Sequence, residues 1–354
     1  MNPKFLYFLT VMALVSGLIS VQAQTSNATV ATVPVGMINY PLTKGTTTYL
    51  SLPLTNIETY TGSVSATTGN SISVGDDPAP FTTSLAAPGT PYFVKFLSGS
   101  EAGRVLLVTG NTTSTLTLDT ADHATGSPVA LNATGYSVET GDTFEVFPGD
   151  TLASVFGAGT AQSPLVVTGG ASAATADSVA LFTAVNAPAV TYYFNTTANA
   201  WEQTGSTANA NNTILYPYAA FAVTLQSTNP STALVLGGRV TSVASAIKVV
   251  SNGTIFASTQ FAADVKLSQL QFGGNWVTGS SVATADTLSV WNPSEGHFDT
   301  YYEKSDSTWR KFPDAATDQS SFSVSAGSVT TIAKRGVVNG AASFLQAPLP
   351  YSLD

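Results

Sequence analysis

Thr175-Ala176-Asp177-Ser178-Val179-Ala180-Leu181-Phe182 recurs 109 residues later as Thr284-Ala285-Asp286-Thr287-Leu288-Ser289-Val290-Trp291. After the Asp of each copy, small polar and apolar residues alternate. That period of two marks a strand with one face buried. Further matches extend the repeat. Thr191-Tyr192-Tyr193 aligns with Thr300-Tyr301-Tyr302 at the same offset, and Trp201 answers Trp309 one residue out of step. Phe221–Leu225 corresponds to Val329–Ala333, and Leu152–Gly157 to Leu267–Gly273. Two repeat units follow, 150–238 and 264–347, each of about 85 residues. A period of this kind takes precedence over any element-by-element reading.

The lead-in to each unit repeats too. Gly45-Thr46-Thr47-Thr48-Tyr49-Leu50 matches Gly253-Thr254-Ile255-Phe256, which makes 24–55 a linker with lead strands and 239–263 the lead strands of the second unit. Only the first copy has a long stretch, 56–150, between lead strand and unit. Short alternating runs at 63–66, 71–74, 92–96, 103–108, 116–118 and 143–147 predict a small closed β-barrel there. Gly, Asn, Asp, Pro and Ser clusters separate strand-like runs along the whole chain. The best helical candidate is a short turn over Asp150–Phe156. The fold class read from these patterns is all-β: tandem β-sandwich or β-barrel-like units, a small β-barrel-like domain inserted in the first, and a C-terminal tail at 348–354.

Composition narrows function. The 354 residues include 12 Lys+Arg, 21 Asp+Glu and no Cys, for a net charge of −9. Without Cys there is no disulfide, thiolate nucleophile or Cys-ligated metal. The acidic balance argues against a nucleic-acid partner, which demands a basic footprint. Residues 105–238 hold eight acids and no Lys or Arg. Lys304, Arg310, Lys311, Lys334 and Arg335 are interspersed with acids and form no basic stripe.

Residues 1–23 read as a cleaved Sec-type signal helix. Lys4 supplies the basic start, Phe5–Val21 the apolar run and Val21-Gln22-Ala23 the small-residue cleavage site. The run is shorter than a membrane span, and no basic stop-transfer flank follows, the next charge being Lys44. No integral membrane span is expected after cleavage. An exported chain without Cys points to a bacterium and to the periplasm, cell surface or medium.

A signal peptide, Val33-Pro34-Val35-Gly36, Ser100-Glu101-Ala102-Gly103-Arg104, Gly141-Asp142-Thr143, Leu152–Phe156 and two Tyr-Tyr…Trp units follow one another in that order. Over residues 30–347 this order resembles a family of uncharacterised exported β-rich proteins found as paralogues in Verrucomicrobia and related bacteria. In that family's layout the second unit has no inserted segment. The resemblance implies no activity, cofactor or site residue.

Candidate chemistry is sparse. No Gly-x-Ser-x-Gly elbow occurs, and only His123 and His297 could act as a base. Glu295, His297 and Asp299 sit at i, i+2 and i+4, ligand types that suit a divalent cation, although Asn292-Pro293-Ser294 argues for a solvated hairpin tip. Acids at Asp119, Asp122 (beside His123), Asp142, Glu145 and Asp150 make Ca²⁺ the one cofactor to consider, with turn formation the plainer reading. None of the seven Glu is singled out as half of a glycosidase pair. Tyr192, Trp201, Tyr301 and Trp309 are candidate ligand-contact aromatics for stacking on sugars. Their recurrence at equivalent places in both units fits core anchors better.

The functional expectation is a non-enzymatic exported structural or interaction protein. It would work through β-sheet surfaces, by self-association or with other envelope components. The second expectation is an envelope carbohydrate-binding or carbohydrate-degrading protein.

Overall fold

The alternating run after each Thr-Ala-Asp becomes the central strand of a five-stranded antiparallel sheet. In the first unit the order is Ala200–Gln203, Val190–Asn195, Ser178–Leu181, Ala220–Thr224, Thr47–Ser51. In the second it is Trp309–Lys311, His297–Glu303, Thr287–Asn292, Val329–Ala333, Thr254–Ser258. The two orders are identical, and so is the register. Ser178 lies opposite Tyr193 and Thr224, and Thr287 opposite Tyr302 and Ala333. The lead strands hold equivalent edge positions, as their short sequence match predicts. The computed structural model describes residues 34–351 except 77–78, 122–127, 134–135, 183–185, 218, 250–252, 273–275 and 336–342. The signal segment, Asp122 and His123 lie outside the described residues.

The Asp of each motif organises the unit around it. Asp177 is buried, and its carboxylate accepts from the backbone N–H of Thr168 at 2.7 Å and of Gln226 at 2.8 Å. Asn229 adds an amide donor at 2.7 Å. Asp286 does the same with Val277 N–H at 2.8 Å and Arg335 N–H at 2.6 Å. In place of the Asn it faces the buried Lys334 ammonium at 3.3 Å. Each carboxylate thus ties the loop before the central strand to the end of the strand pairing with it, through charge-assisted hydrogen bonds to partly buried N–H groups. The preceding loop is repeated as well. Ser172 O accepts from Thr175 and Ala176 N–H, and Ser281 O from Thr284 and Ala285 N–H. Gly170 and Gly279, each seven residues before the Asp, lie so close to this turn that a Cβ would meet the Thr hydroxyl at 2.5 and 2.6 Å.

The insert is a closed six-stranded barrel, with Thr143–Pro148, Tyr60–Thr68, Ser71–Val74, Thr115–Leu118, Val105–Asn111 and Tyr92–Phe96 paired in that order. Val64, Ile72, Val94, Phe96, Leu106, Leu116, Phe144 and Val146 fill it. Outward residues such as Ser63, Ser65 and Thr109 are exposed, but on one side of the barrel they are covered. Phe93, Val105 and Phe147 join the core of the second unit with Tyr216, Leu288 and Trp309. Each buried Phe contributes about 1.5–3 kcal/mol, which holds the barrel against both units. Residues Pro34–Asp354 form one compact unit. The Ser100–Arg104 loop adds a polar latch. Glu101 and Arg104 form a buried ion pair at 2.9 Å, and Arg104 bridges to Ala246 of the strand Ser245–Val249. Gly103, at φ +88, approaches so closely that a Cβ would sit 2.2 Å from the Ala244 carbonyl.

Polar residues on the barrel's outer face meet the end of a two-stranded ribbon, Val35–Leu42 with Thr232–Arg239. Lys95 and Glu145 are cross-strand neighbours, both buried. Glu145 pairs with Arg239, which also reaches Glu58 at 3.0 Å, while Lys95 donates to the Thr241 hydroxyl. Burial pushes the Lys95 ammonium down to about 8 from 10.5; Glu145 opposes the shift and Arg239 adds to it. The short helix Leu152–Phe156 follows the barrel where the sequence predicts a turn, capped by Thr151 in a reciprocal hydrogen bond with Ser154.

Two outcomes follow from these buried charges. Asp286→Ala deprives Lys334 of its carboxylate and should cost about 3–5 kcal/mol. Asp177→Ala loses charge-assisted hydrogen bonds without stranding a cation and should cost about 1–3 kcal/mol, both read from urea unfolding. Between pH 8 and 10.5 the unfolded chain keeps a proton on Lys95 that the folded chain has released. Stability therefore rises with pH across that window. Lys95→Met should flatten the rise in a pH series of the same unfolding curves.

Candidate functional site

The four aromatics singled out in the sequence are core residues. Trp201, Tyr301 and Trp309 are buried outright, and Tyr192, the most accessible, is 9% exposed. Trp201 packs on Phe156 and Phe194, and its indole N–H donates to Gly157 O at 2.7 Å. Trp309 packs on Phe272 and Trp276. The backbone N–H of each Trp is fixed from a loop ten or eleven residues on, Asn211 Oδ1 at 2.8 Å for Trp201 and Ser320 Oγ at 3.1 Å for Trp309. None of the four presents a face to a ligand. This corrects the reading of Tyr192, Trp201, Tyr301 and Trp309 as stacking platforms. A large ring recurring at one strand position fills equivalent space in two equivalent cores.

The accessible rings are others. Phe182 and Trp291 end the two central strands at the same place in the repeat, and Tyr49 and Phe256 are the third residues of the two lead strands. They meet crosswise between the units. Phe182 stacks on Phe256 with centroids 3.8 Å apart, and Trp291 lies over Tyr49 at 4.4 Å. Tyr49 and Phe256 are themselves parallel at 6.4 Å, and Phe298 stands edge-on to Tyr49 at 5.2 Å. All five rings are half-buried. The signal was present in the sequence, because both pairs fall at aligned positions. Phe182 also stacks on Tyr49 of its own unit at 5.9 Å, and its closer contact with Phe256 could not be read there.

Tyr49 and Trp291 open onto a groove of about 560 Å³, bounded by Tyr40 and Pro41 of the ribbon, Thr46–Leu50, the hairpin residues Pro293 and Gly296, and Ala326–Ser328. Its size falls within the range of small-molecule sites. Glu295, His297 and Asp299 stand on the same hairpin as Pro293 and Gly296 but do not line the groove. Their ligand atoms lie within 4.8 Å of one another. His297 Nε2 is 3.2 Å from both Glu295 Oε2 and Asp299 Oδ1. The Asp299 carboxylate is already engaged by Asn292 Nδ2 at 3.0 Å and by Lys311 Nζ at 2.8 Å. The Lys ammonium supplies there the positive charge that a cation would bring. Burial disfavours the Asp299 charge, yet the hydrogen bonds from Lys311, Asn292 and His297 outweigh it and hold the carboxyl below its ordinary range. The cluster is an ion-paired hairpin tip, the plainer of the two sequence readings.

The acids weighed for Ca²⁺ are dispersed. Asp119 accepts from Ala121 N–H at 3.0 Å and Asp142 from Glu139 N–H at 2.9 Å, both closing turns. Asp150 accepts from the Ser154 hydroxyl at 3.0 Å, and Glu145 serves Arg239. Among the described residues, the grouping of metal-ligand types is the hairpin triad alone. No family model, curated protein or solved structure matches this chain.

Removing the ammonium tests the account of the hairpin. Lys311→Met should raise the Asp299 pKa toward or beyond its ordinary value, read by carboxyl-carbon NMR titration, without shifting Asp177 or Asp286 resonances.

Proposed function

We propose that the protein is an exported bacterial structural or interaction protein, without catalytic activity, that acts through its β-sheet surfaces at the periplasm, cell surface or medium. The observation that carries this reading is the outer face of the ribbon formed by Val35–Leu42 and Thr232–Arg239. Val35, Met37 and Val235 are 71%, 74% and 54% exposed. Pro41, Ala233 and Gly237 share that face and are also exposed, and Asn39 is its one exposed polar side chain, Arg239 opposite Val35 being buried. The inner face, with Tyr40, Leu42, Leu234 and Leu236, packs on the first unit's core.

Such a ribbon has two features of a contact surface. The exposed side chains of its outer face are mainly apolar and all uncharged, in a chain that carries a net charge of −9. Apart from the Thr55–Arg239 bridge, neither strand has a second strand partner among the described residues. Open edges of this kind receive further strands unless they are covered. The apolar stripe supplies the contact area, and the edge supplies register through main-chain hydrogen bonds. The signal-like residues 1–23 support export, and the absence of Cys supports a bacterial envelope.

Cross-linking in the native organism, followed by fractionation of periplasm, surface and medium, tests the reading. The chain should be recovered in a covalent assembly. Met37→Lys with Val235→Lys should abolish that assembly while changing stability by no more than about 0.5 kcal/mol, since both side chains are exposed. A free monomer that turns over glycans would contradict the proposal.

A further inference from the structure

We propose that the groove beside Tyr49 and Trp291 binds a neutral oligosaccharide. It rests on residues other than the ribbon's exposed stripe, so either reading can fail without the other.

The two units differ beside these rings. Around Phe182, the repeat mate of Trp291, and Ala219, the mate of Ser328, the residues Leu181, Ile214, Tyr216 and Phe221 leave a space of only about 10 Å³. Phe93 of the barrel stands edge-on to Tyr216 at 5.5 Å. Around Trp291 and Ser328 the space is about 560 Å³.

The lining selects the ligand class. Tyr40, Tyr49 and Trp291 provide ring surface, Thr47 and Ser328 provide hydroxyls, and Pro293 closes one wall. No charged side chain lines the groove among the described residues. A phosphate, carboxylate or ammonium ligand would give up its hydration here without an opposite charge in return. A purely apolar ligand would leave the hydroxyls facing it unpaired. A pyranose has both matching features, axial C–H faces for aromatic rings and equatorial hydroxyls for Thr and Ser. Thr47 shares the strand face of Tyr49 and is exposed, with its hydroxyl 2.8 Å from that of Thr224. It offers a polar contact at the mouth.

Calorimetric titration of the full chain with cellohexaose and with maltohexaose, using oligogalacturonate as the charged comparison, tests the proposal. At least one neutral hexamer should bind, more tightly than the charged one. Trp291→Ala should weaken binding about ten-fold or more, by loss of the stacking face. Because Trp291 also packs on Tyr49, so that its loss disturbs the fold as well as the groove, Thr47→Arg provides the second arm. It places a bulky charge in the mouth at an exposed position and should weaken binding by a similar factor with an unchanged melting temperature. No binding of either neutral hexamer at millimolar concentration overturns the proposal. So does a folded Thr47→Arg variant with wild-type affinity, or a preference for the charged oligomer.

Discussion

Each repeat unit depends on one carboxylate. Asp177 and Asp286 lie at the head of the central strands, buried, each accepting two backbone N–H groups 58 residues apart along the chain, Thr168 with Gln226 and Val277 with Arg335. No apolar side chain could replace them, because those N–H groups would lose their acceptors inside the fold. The carboxylate therefore fixes where the loop ends, where the strand begins and which strand lies beside it. The Gly170 and Gly279 turns, the Tyr pairs and the Trp anchors take their positions from that point. The charge is balanced differently in the two units, by the Asn229 amide in one and the Lys334 ammonium in the other. The two solutions show that the geometry, not a particular counter-charge, is what the fold repeats.

The insert turns two similar units into an asymmetric body. A closed barrel can stand alone as regards its hydrogen bonds, but Phe93 and Phe147 commit its outer face to the rest of the molecule. The Glu101–Arg104 latch and the Lys95–Glu145–Arg239 group lie at the same boundary. Burying these charges is favourable only with partners in place. They specify how the barrel sits more than they add stability. Phe93 of the barrel packs edge-on to Tyr216 of the first unit, while the groove near Tyr49 lies where the first unit's lead strand meets Trp291 of the second.

Much of the fold was legible in the sequence. The Thr-Ala-Asp match at an offset of 109 located both central strands, the alternation at 63–147 gave the barrel strands, and the weak lead-strand match marked equivalent sheet edges. The site was less legible, for a physical reason. Recurrence at aligned positions cannot tell a ring that fills a core from one that lines a junction, since both repeat with the fold. Trp201 and Trp309 are held through their backbone N–H by loops ten or eleven residues downstream, whereas Phe182 and Trp291 emerge at strand ends and meet the other unit's lead strand. That contact is between units and leaves no local pattern. The meaning of Glu295, His297 and Asp299 likewise turned on Lys311, which is adjacent only through strand pairing.

The central claim is that the two buried carboxylates anchor one cooperative structure built from both units. Native-state hydrogen exchange tests it residue by residue. The amides of Thr168, Gln226, Val277 and Arg335 lie at loops and strand ends, where exchange is ordinarily fast. On this account they exchange as slowly as the central-strand amides of Val179 and Leu288, at the rate set by global unfolding. Exchange of those four amides at loop rates, with the central strands still protected, would contradict it.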